Sequence, residues 1–480
     1  MQTLTVDVAV IGAGTAGLAA YRAAKSHGKR VVLIESGPYG TTCARVGCMP
    51  SKLLIAAAEA AHAVGAAPGF GVHAGKPRID GKAVMARVRA ERDRFVGFVL
   101  EGVGKIPAED HVRGRARFVN PRRLQIDDHT WVDAERIVIA TGSSPMVPDV
   151  LAEAGTRLVV NDDVFEWIDL PASVAVVGSG IIGLELGQAL HRLGVRVAVF
   201  ARSERIAQLS DPAVLANAAR CMVQELDLRL HTQVVQVTPD AEGVNLLTRD
   251  SEEAEHGERF EYLLAAAGRA PNVKGLALEH AEIALDKHGI PLYDRLTMQC
   301  GDSAIFIAGD ASDEVPLLHE AADQGRIAGD NAGRFPQVRP GLRRTPIGIA
   351  FTDPQIATVG QSYQALQKSH AGKFAVGEVS FENQGRSRVM LQNRGMLRVY
   401  AEYGSGRFLG AEMIGPRAEH LAHLLAWACQ TGMTVAQMLE MPFYHPVIEE
   451  GVRTALRDVD EKLLQGLPEI EHCADCTPGV

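Results

Sequence analysis

Short apolar runs that close on glycine clusters alternate with alanine- and leucine-rich stretches of helical period along the first two thirds of the chain. The first run, Val6 to Ile11, is short, β-branched and bounded by glycine, so it reads as a buried strand. It leads through Gly12, Gly14 and Gly17 into an alanine-rich helical stretch, and a second β-rich run, R-V-V-L-I-E, follows. The same order returns at Val174 as V-A-V-V-G-S-G-I-I-G-L-E-L-G, with Gly178, Gly180 and Gly183, followed by R-V-A-V-F-A. Strand, glycine turn, helix and strand, repeated at two places, predict an α/β fold with two Rossmann-like dinucleotide-binding units.

Between the copies the pattern predicts an alanine-rich helix over Ser51 to Val64 and an arginine-rich helical region over Gly81 to Leu100. A strand ends in I-V-I-A-T-G-S-S-P (Ile137 to Pro145), and Leu263 to Asn272 carries a similar strand-plus-glycine ending. The strand Ile305 to Asp310 leads into a helix beginning near Pro316. From about Thr345 the period changes to two, with hairpin-like strands, and helices follow over Ala418 to Thr431 and Thr434 to Glu440. This third region carries no nucleotide signature and reads as α+β.

Composition changes the picture only a little. The chain has 480 residues, room for about three domains at roughly 150 residues each. A net charge of −9 argues against nucleic acid or an anionic membrane as partner. The longest apolar runs are shorter than a membrane span, and the N-terminus enters a strand with no export signal. Seven scattered cysteines do not make a disulfide scaffold. The expectation is a cytoplasmic protein, in which a disulfide is catalytic sooner than structural.

Each glycine cluster lets backbone N–H groups and a helix N-terminus approach a pyrophosphate. Glu35 closes the second strand of the first unit, where an acid accepts from a ribose 2′-OH, as the adenosine half of FAD or NAD requires. The equivalent place in the second unit holds Ala201, followed by Arg202, Ser203 and Arg205. Guanidinium groups there pair with a 2′-phosphate, which favours NADPH over NADH.

The stretch T-T-C-A-R-V-G-C-M-P-S-K, Thr41 to Lys52, holds two cysteines five residues apart. On a regular helix that spacing is about 7.5 Å along the axis. A disulfide needs Cα atoms about 4.4–6.8 Å apart, so a bridge between Cys43 and Cys48 demands a distorted turn, which Gly47 permits. Such a strained loop is readily reduced. Metal binding and a pair of buried free thiols are the rival readings. The first lacks a nearby second pair or histidine, so no metal site is expected.

This stretch resembles the G-T-C-x-N-V-G-C-x-P-S-K active site of FAD-dependent pyridine nucleotide–disulfide oxidoreductases, the group of dihydrolipoyl dehydrogenase, glutathione reductase and mercuric reductase. The likeness runs to about residue 460 and includes A-T-G at Ala140 to Gly142, A-G-D at Ala308 to Asp310, and a C-terminal His-Pro with a following Glu. The P-S-K ending is similar to the dihydrolipoyl and mercuric enzymes; Arg45 stands where the family has Asn.

The resemblance implies an enzyme closest to dihydrolipoyl dehydrogenase, passing electrons between NAD(P)H and a small or carrier-bound disulfide through a redox-active Cys43–Cys48 disulfide. It implies a homodimer, and a division into an FAD domain (1–148 with 270–343), an NAD(P) domain (149–269), a dimerisation domain (344–466) and a tail (467–480). Cys48 becomes the thiol beside the flavin and Cys43 the one that exchanges with substrate, at a positive helix end that lowers thiol pKa. Lys52 is implied near flavin N5, paired with Glu185. Thr42, Thr141, Gly142, Gly268 and Asp310 join the glycines and Glu35 as cofactor-binding positions, and the helix after Pro316 points its N-terminus at the flavin. His445, in F-Y-H-P-V-I-E-E, is implied as the proton shuttle for Cys43, oriented by Glu450. Arg22 matches a position where glutathione reductase grips substrate. An alternative keeps the fold and makes the chain an NADPH-dependent reductase of another disulfide or of a metal ion, with Cys473 and Cys476 in the tail as a relay.

Overall fold

The computed structural model describes residues 1–466. The described residues divide into two compact units, one made of Met1–Ala57, Ile79–Leu170 and Leu264–Arg343, the other of Ala58–Arg78, Pro171–Leu263 and 344–466.

The first unit is built on β1 (Gln2–Ile11), which lies between β2 (Val31–Glu35) and the strand Thr130–Ile139, parallel to both. Ile305–Ile307 runs parallel to the end of Thr130–Ile139, and His111–Arg113 extends the sheet beyond β2. An antiparallel hairpin, Ala116–Asn120 with Arg123–Ile126, completes it. Successive residues of β1 face opposite sides and both sides are covered. Val8 and Val10 pack with α1 (Thr15–Lys25), while Ala9 and Ile11 pack with Ile137 and Ile139. That is why the run reads as continuously apolar rather than alternating. The strands β1, Thr130–Ile139 and Ile305–Ile307 therefore end side by side, and Gly12, Thr141 and Asp310 follow those ends. Ligands of open α/β sheets bind at such carboxyl ends.

The second unit holds another parallel set, with Arg196–Phe200 between Ser173–Val177 and Asp227–Arg229. A three-stranded antiparallel sheet, Gln233–Pro239, Val244–Arg249 and Glu255–Phe260, lies beyond it. The C-terminal region forms an antiparallel sheet in the order Ile347–Ala350, Gln355–Gly360, Phe408–Gly415, Met396–Glu402, Phe374–Ser380. Helices Ala418–Gln430 and Glu450–Gln465 bury apolar faces against its core.

The expected helices occur with shifted ends. Ser51 to Val64 becomes part of Cys48–Ala66, Gly81 to Leu100 becomes Gly81–Gly104, and the helix near Pro316 runs Leu318–Arg334. By length and composition Thr42–Phe70 reaches what a membrane-crossing helix needs, at mean hydropathy 1.4, although its apolar runs are short. It is alanine-rich, interrupted at Gly47, and carries Arg45, Lys52, Glu59 and His62.

Candidate functional site

The first glycine turn is a packed cradle. Gly12 has φ +108°, and a Cβ on it would stand 2.2 Å from the Ala140 carbonyl oxygen. One on Gly17 would stand 1.8 Å from the Gly12 oxygen, whereas Gly14 faces open space. The outer two glycines thus let strand and helix close together, and the middle one leaves the N-terminus of α1 bare. Glu35 grips the turn: its carboxylate accepts from the Ala13 N–H at 2.7 Å and from the Gly37 N–H at 2.7 Å. A carboxylate has about four lone-pair sites, so acceptor capacity remains for a ribose.

Asn272 fastens the Thr141–Gly142 turn, donating its Nδ2–H to the Thr141 carbonyl at 3.1 Å and its backbone N–H to the Gly142 carbonyl at 2.9 Å. The Thr141 hydroxyl is buried with no partner in the protein, and an orphaned buried hydroxyl demands one. Asp310 accepts from the Ser143 hydroxyl at 2.6 Å, and Arg269 donates to the Ser143 hydroxyl at 2.8 Å and carbonyl at 2.7 Å. An open glycine cradle, acids at 35 and 310 and an unsatisfied hydroxyl between them fit a dinucleotide such as FAD, with phosphate, ribose and hydroxyl-rich linker to be matched. Gly268 has φ +125° and belongs to this first unit, where its carbonyl accepts from the Met146 N–H at 2.9 Å.

The cysteine stretch adopts the distorted turn its spacing demands. A short helix, α2 (Thr42–Val46), stops at Gly47, and a new one, α3 (Cys48–Ala66), begins at Cys48 itself. Thr41, at φ +60°, caps α2 by accepting from the Ala44 N–H at 3.3 Å. Thr42, expected at the cofactor, is an exposed first-turn residue; the capping hydroxyl belongs to its neighbour. The break brings the sulfurs together as two thiols in hydrogen-bond contact. That bond to Cys48, then burial and the Cys48 charge, push the Cys43 thiol well above the usual range; the Cys48 backbone N–H and Lys52, one turn on, pull the other way.

In the second unit Gly178 has φ +122°, and Gly180 precedes the helix Ile181–Arg192, in which Gly183 and Glu185 are buried. Glu185 accepts from the Phe351 N–H at 2.9 Å. Ala201 is buried and Arg202, Ser203 and Arg205 are exposed on the loop that follows the strand Arg196–Phe200.

His445 also lies in the second unit. Its Nδ1 is 3.0 Å from a Glu450 oxygen, and its side chain is 80% exposed, so the other ring nitrogen is open to an incoming group. The carboxylate can only accept, so Nδ1 carries a proton, and in the neutral ring Nε2 then keeps the lone pair. The His445 hydrogen bond holds Glu450 below the usual carboxylate range, and Arg453 supports it at 3.0 Å. Arg22 is exposed on α1. Cys473 and Cys476 lie outside the described residues.

Thr41, Ser143, Arg269 and Asn272 were not picked out from the sequence. Arg269 and Asn272 stand in the second strand-plus-glycine ending, G-R-A-P-N, and that echo was the available signal.

Residues 6–325 match the family model described as pyridine nucleotide-disulphide oxidoreductase, and residues 347–456 match its dimerisation domain. A mercuric reductase of Shigella flexneri is 34% identical over 472 residues, which is 96% of this chain and 82% of that protein. A dihydrolipoyl dehydrogenase of Bacillus subtilis is 29% identical over 461 residues, covering 94% and 98%. The HOCl-induced flavoprotein disulfide reductase RclA of Escherichia coli shares the fold, with a TM-score of 0.78, 22% identity and coverage of 95% and 99%. Sequence, turn geometry and relatives agree: the chain belongs to the pyridine nucleotide-disulphide oxidoreductases and is a flavin-dependent NAD(P)H disulfide oxidoreductase.

Proposed function

We propose that the chain exchanges electrons with a small or carrier-bound disulfide, as dihydrolipoyl dehydrogenases do, using Cys43 and Cys48 as the reversible pair. The observation that carries this reading is the His445–Glu450 contact at 3.0 Å. A thiol whose pKa is raised, as that of Cys43 is, becomes a nucleophile when a base takes its proton, and an exposed imidazole fixed by a carboxylate is such a base. In a homodimer built through the dimerisation domain, the partner's His445 serves the pair.

Bound FAD would supply two-electron exchange with a nicotinamide. The chain's own residues do the sulfur chemistry. His445 takes the Cys43 proton; the Cys43 thiolate attacks one substrate sulfur and expels the other, which leaves as a thiol with the proton returned by His445. Cys48 then attacks the Cys43 sulfur, closing the internal disulfide and releasing the second substrate thiolate. Lys52 sits beside the thiols, and Glu185 is the buried acid that the family resemblance pairs with it. The domain limits 149–269 and 344–466 remain part of this reading. The free thiols Cys221, Cys300 and Cys429 suit a reducing compartment such as the cytoplasm.

The exposed Arg202, Ser203 and Arg205, with no acid at position 201, support NADPH as the nicotinamide. Arg202→Glu is expected to move the NADPH-to-NADH ratio of kcat/KM about tenfold toward NADH, the loss of roughly one charge-assisted hydrogen bond. An unchanged ratio removes Arg202 from the site.

The relatives named mercuric reductase favour a second reading, NADPH-driven reduction of a metal ion. Steady-state rates with lipoamide, oxidised glutathione and Hg(II) separate the two. Lipoamide turnover well above the others supports the proposal; Hg(II)-dependent NADPH oxidation with neither disulfide turned over replaces it.

A further inference from the structure

Polar contacts from a segment distant in sequence fasten the redox loop. Asn161, only 6% exposed, donates its Nδ2–H at 2.8 Å to the carbonyl of Val46, which lies inside the loop between the two cysteines. It begins a four-residue helix, Asn161–Val164, that packs against α2. The next residue, Asp162, is half-buried, and burial raises its pKa although the guanidinium groups of Arg269 and Arg45 oppose that rise. Arg269 is the residue that holds Ser143, and Ser143 holds Asp310 at 2.6 Å. Arg45 replaces the Asn of the family pattern. Its stem fills the space beside Gly40, where a Cβ would stand 2.9 Å from the Arg45 Cδ and φ is +120°, so only glycine suits the position.

We propose that the helix Asn161–Val164 clamps the redox loop, with Asn161 bonded to the Val46 carbonyl and Asp162 bonded to Asn161 as positioning residues that keep Cys43 and Cys48 at bonding approach. This rests on the reading of those cysteines as a reversible pair. Two sulfurs held side by side close into a disulfide more favourably than two that must first find each other, because effective concentration sets the balance. Loss of the clamp therefore shifts the pair toward the dithiol. Asp162 accepts from the Asn161 Nδ2–H at 2.8 Å, so it acts through Asn161, and removing both costs no more than removing Asn161.

The test equilibrates the purified flavoprotein with dithiothreitol buffers of graded oxidation, each protein disulfide reduced yielding one oxidised dithiothreitol. Thiols at 43 and 48 are then trapped by alkylation and counted by mass spectrometry. Asn161→Ala and Asp162→Asn are each expected to shift the equilibrium threefold or more toward dithiol, with flavin content and melting temperature reported alongside. The Asn161→Ala/Asp162→Asn double variant should shift no further than Asn161→Ala alone. Asp162→Asn is nearly isosteric, so it remains informative if Asn161→Ala fails to fold. Unshifted equilibria, a shift toward disulfide, or additive effects in the double variant overturn the clamp while leaving the redox pair intact. A wild-type pair that never forms a disulfide across the buffers overturns both.

Discussion

Cys48→Ser is expected to abolish the long-wavelength thiolate–flavin absorption that follows two-electron reduction, and to lower disulfide turnover by about a thousandfold or more, as loss of an essential nucleophile does. Serine cannot close the internal disulfide, so the mixed disulfide on Cys43 has no second sulfur to resolve it. The substitution has a further signature at Cys43. The hydrogen bond to Cys48 is the largest cause of the raised Cys43 pKa, and the Cys48 charge adds to it. Serine carries no charge at these pH values, so the Cys43 thiol titrates lower in the variant, and the pH midpoint of its alkylation by iodoacetamide should fall below that of the reduced wild type. A surviving long-wavelength band exchanges the roles of the two sulfurs. An unchanged alkylation midpoint means that burial alone holds Cys43 protonated.

His445→Gln is expected to slow the dithiol–disulfide half-reaction by about 10²- to 10⁴-fold, the usual range for a positioned acid–base group. Reduction of the bound flavin by NAD(P)H should change less than about twofold, since no proton of that step is assigned to His445. Rapid-mixing measurement of each half-reaction separates the two. Glutamine keeps a hydrogen-bonding side chain of similar reach, so lost shape is not the cause of a slow exchange step. Glu450 works through the imidazole. Its pKa is depressed, first by the His445 hydrogen bond, so the carboxylate stays ionised as pH falls through the ordinary carboxylate range, and its support of His445 is lost only below that. Equal loss of both half-reactions in His445→Gln refutes the assignment.

The parts of the site legible in the sequence are those encoded within a few residues. The glycine turns, the five-residue cysteine spacing and the His-Pro with its following acid each lie on one short stretch, where backbone geometry alone restricts what the residues do. Even the break at Gly47 follows from the distance two helical cysteines must cover. What stayed hidden depends on distant pairing. Asn272 reaches Thr141 across 131 positions and Asn161 reaches Val46 across 115, and no local period reports such contacts. The sheet Gln233–Pro239, Val244–Arg249 and Glu255–Phe260 went unpredicted: Glu255–Phe260 is polar and buried only at its end, and Gln233–Pro239 buries only Val234 and Val237, so the apolar signal is thin although Val244–Arg249 alternates.

The most direct test of the reversible pair is an anaerobic reductive titration of the purified flavoprotein, following flavin absorbance and alkylating the protein at each step. The expected result is that the first electron pair appears as new thiols at positions 43 and 48 with the flavin still oxidised, and that bleaching needs a second pair. Bleaching by the first pair, with no thiol gained at either position, would contradict it.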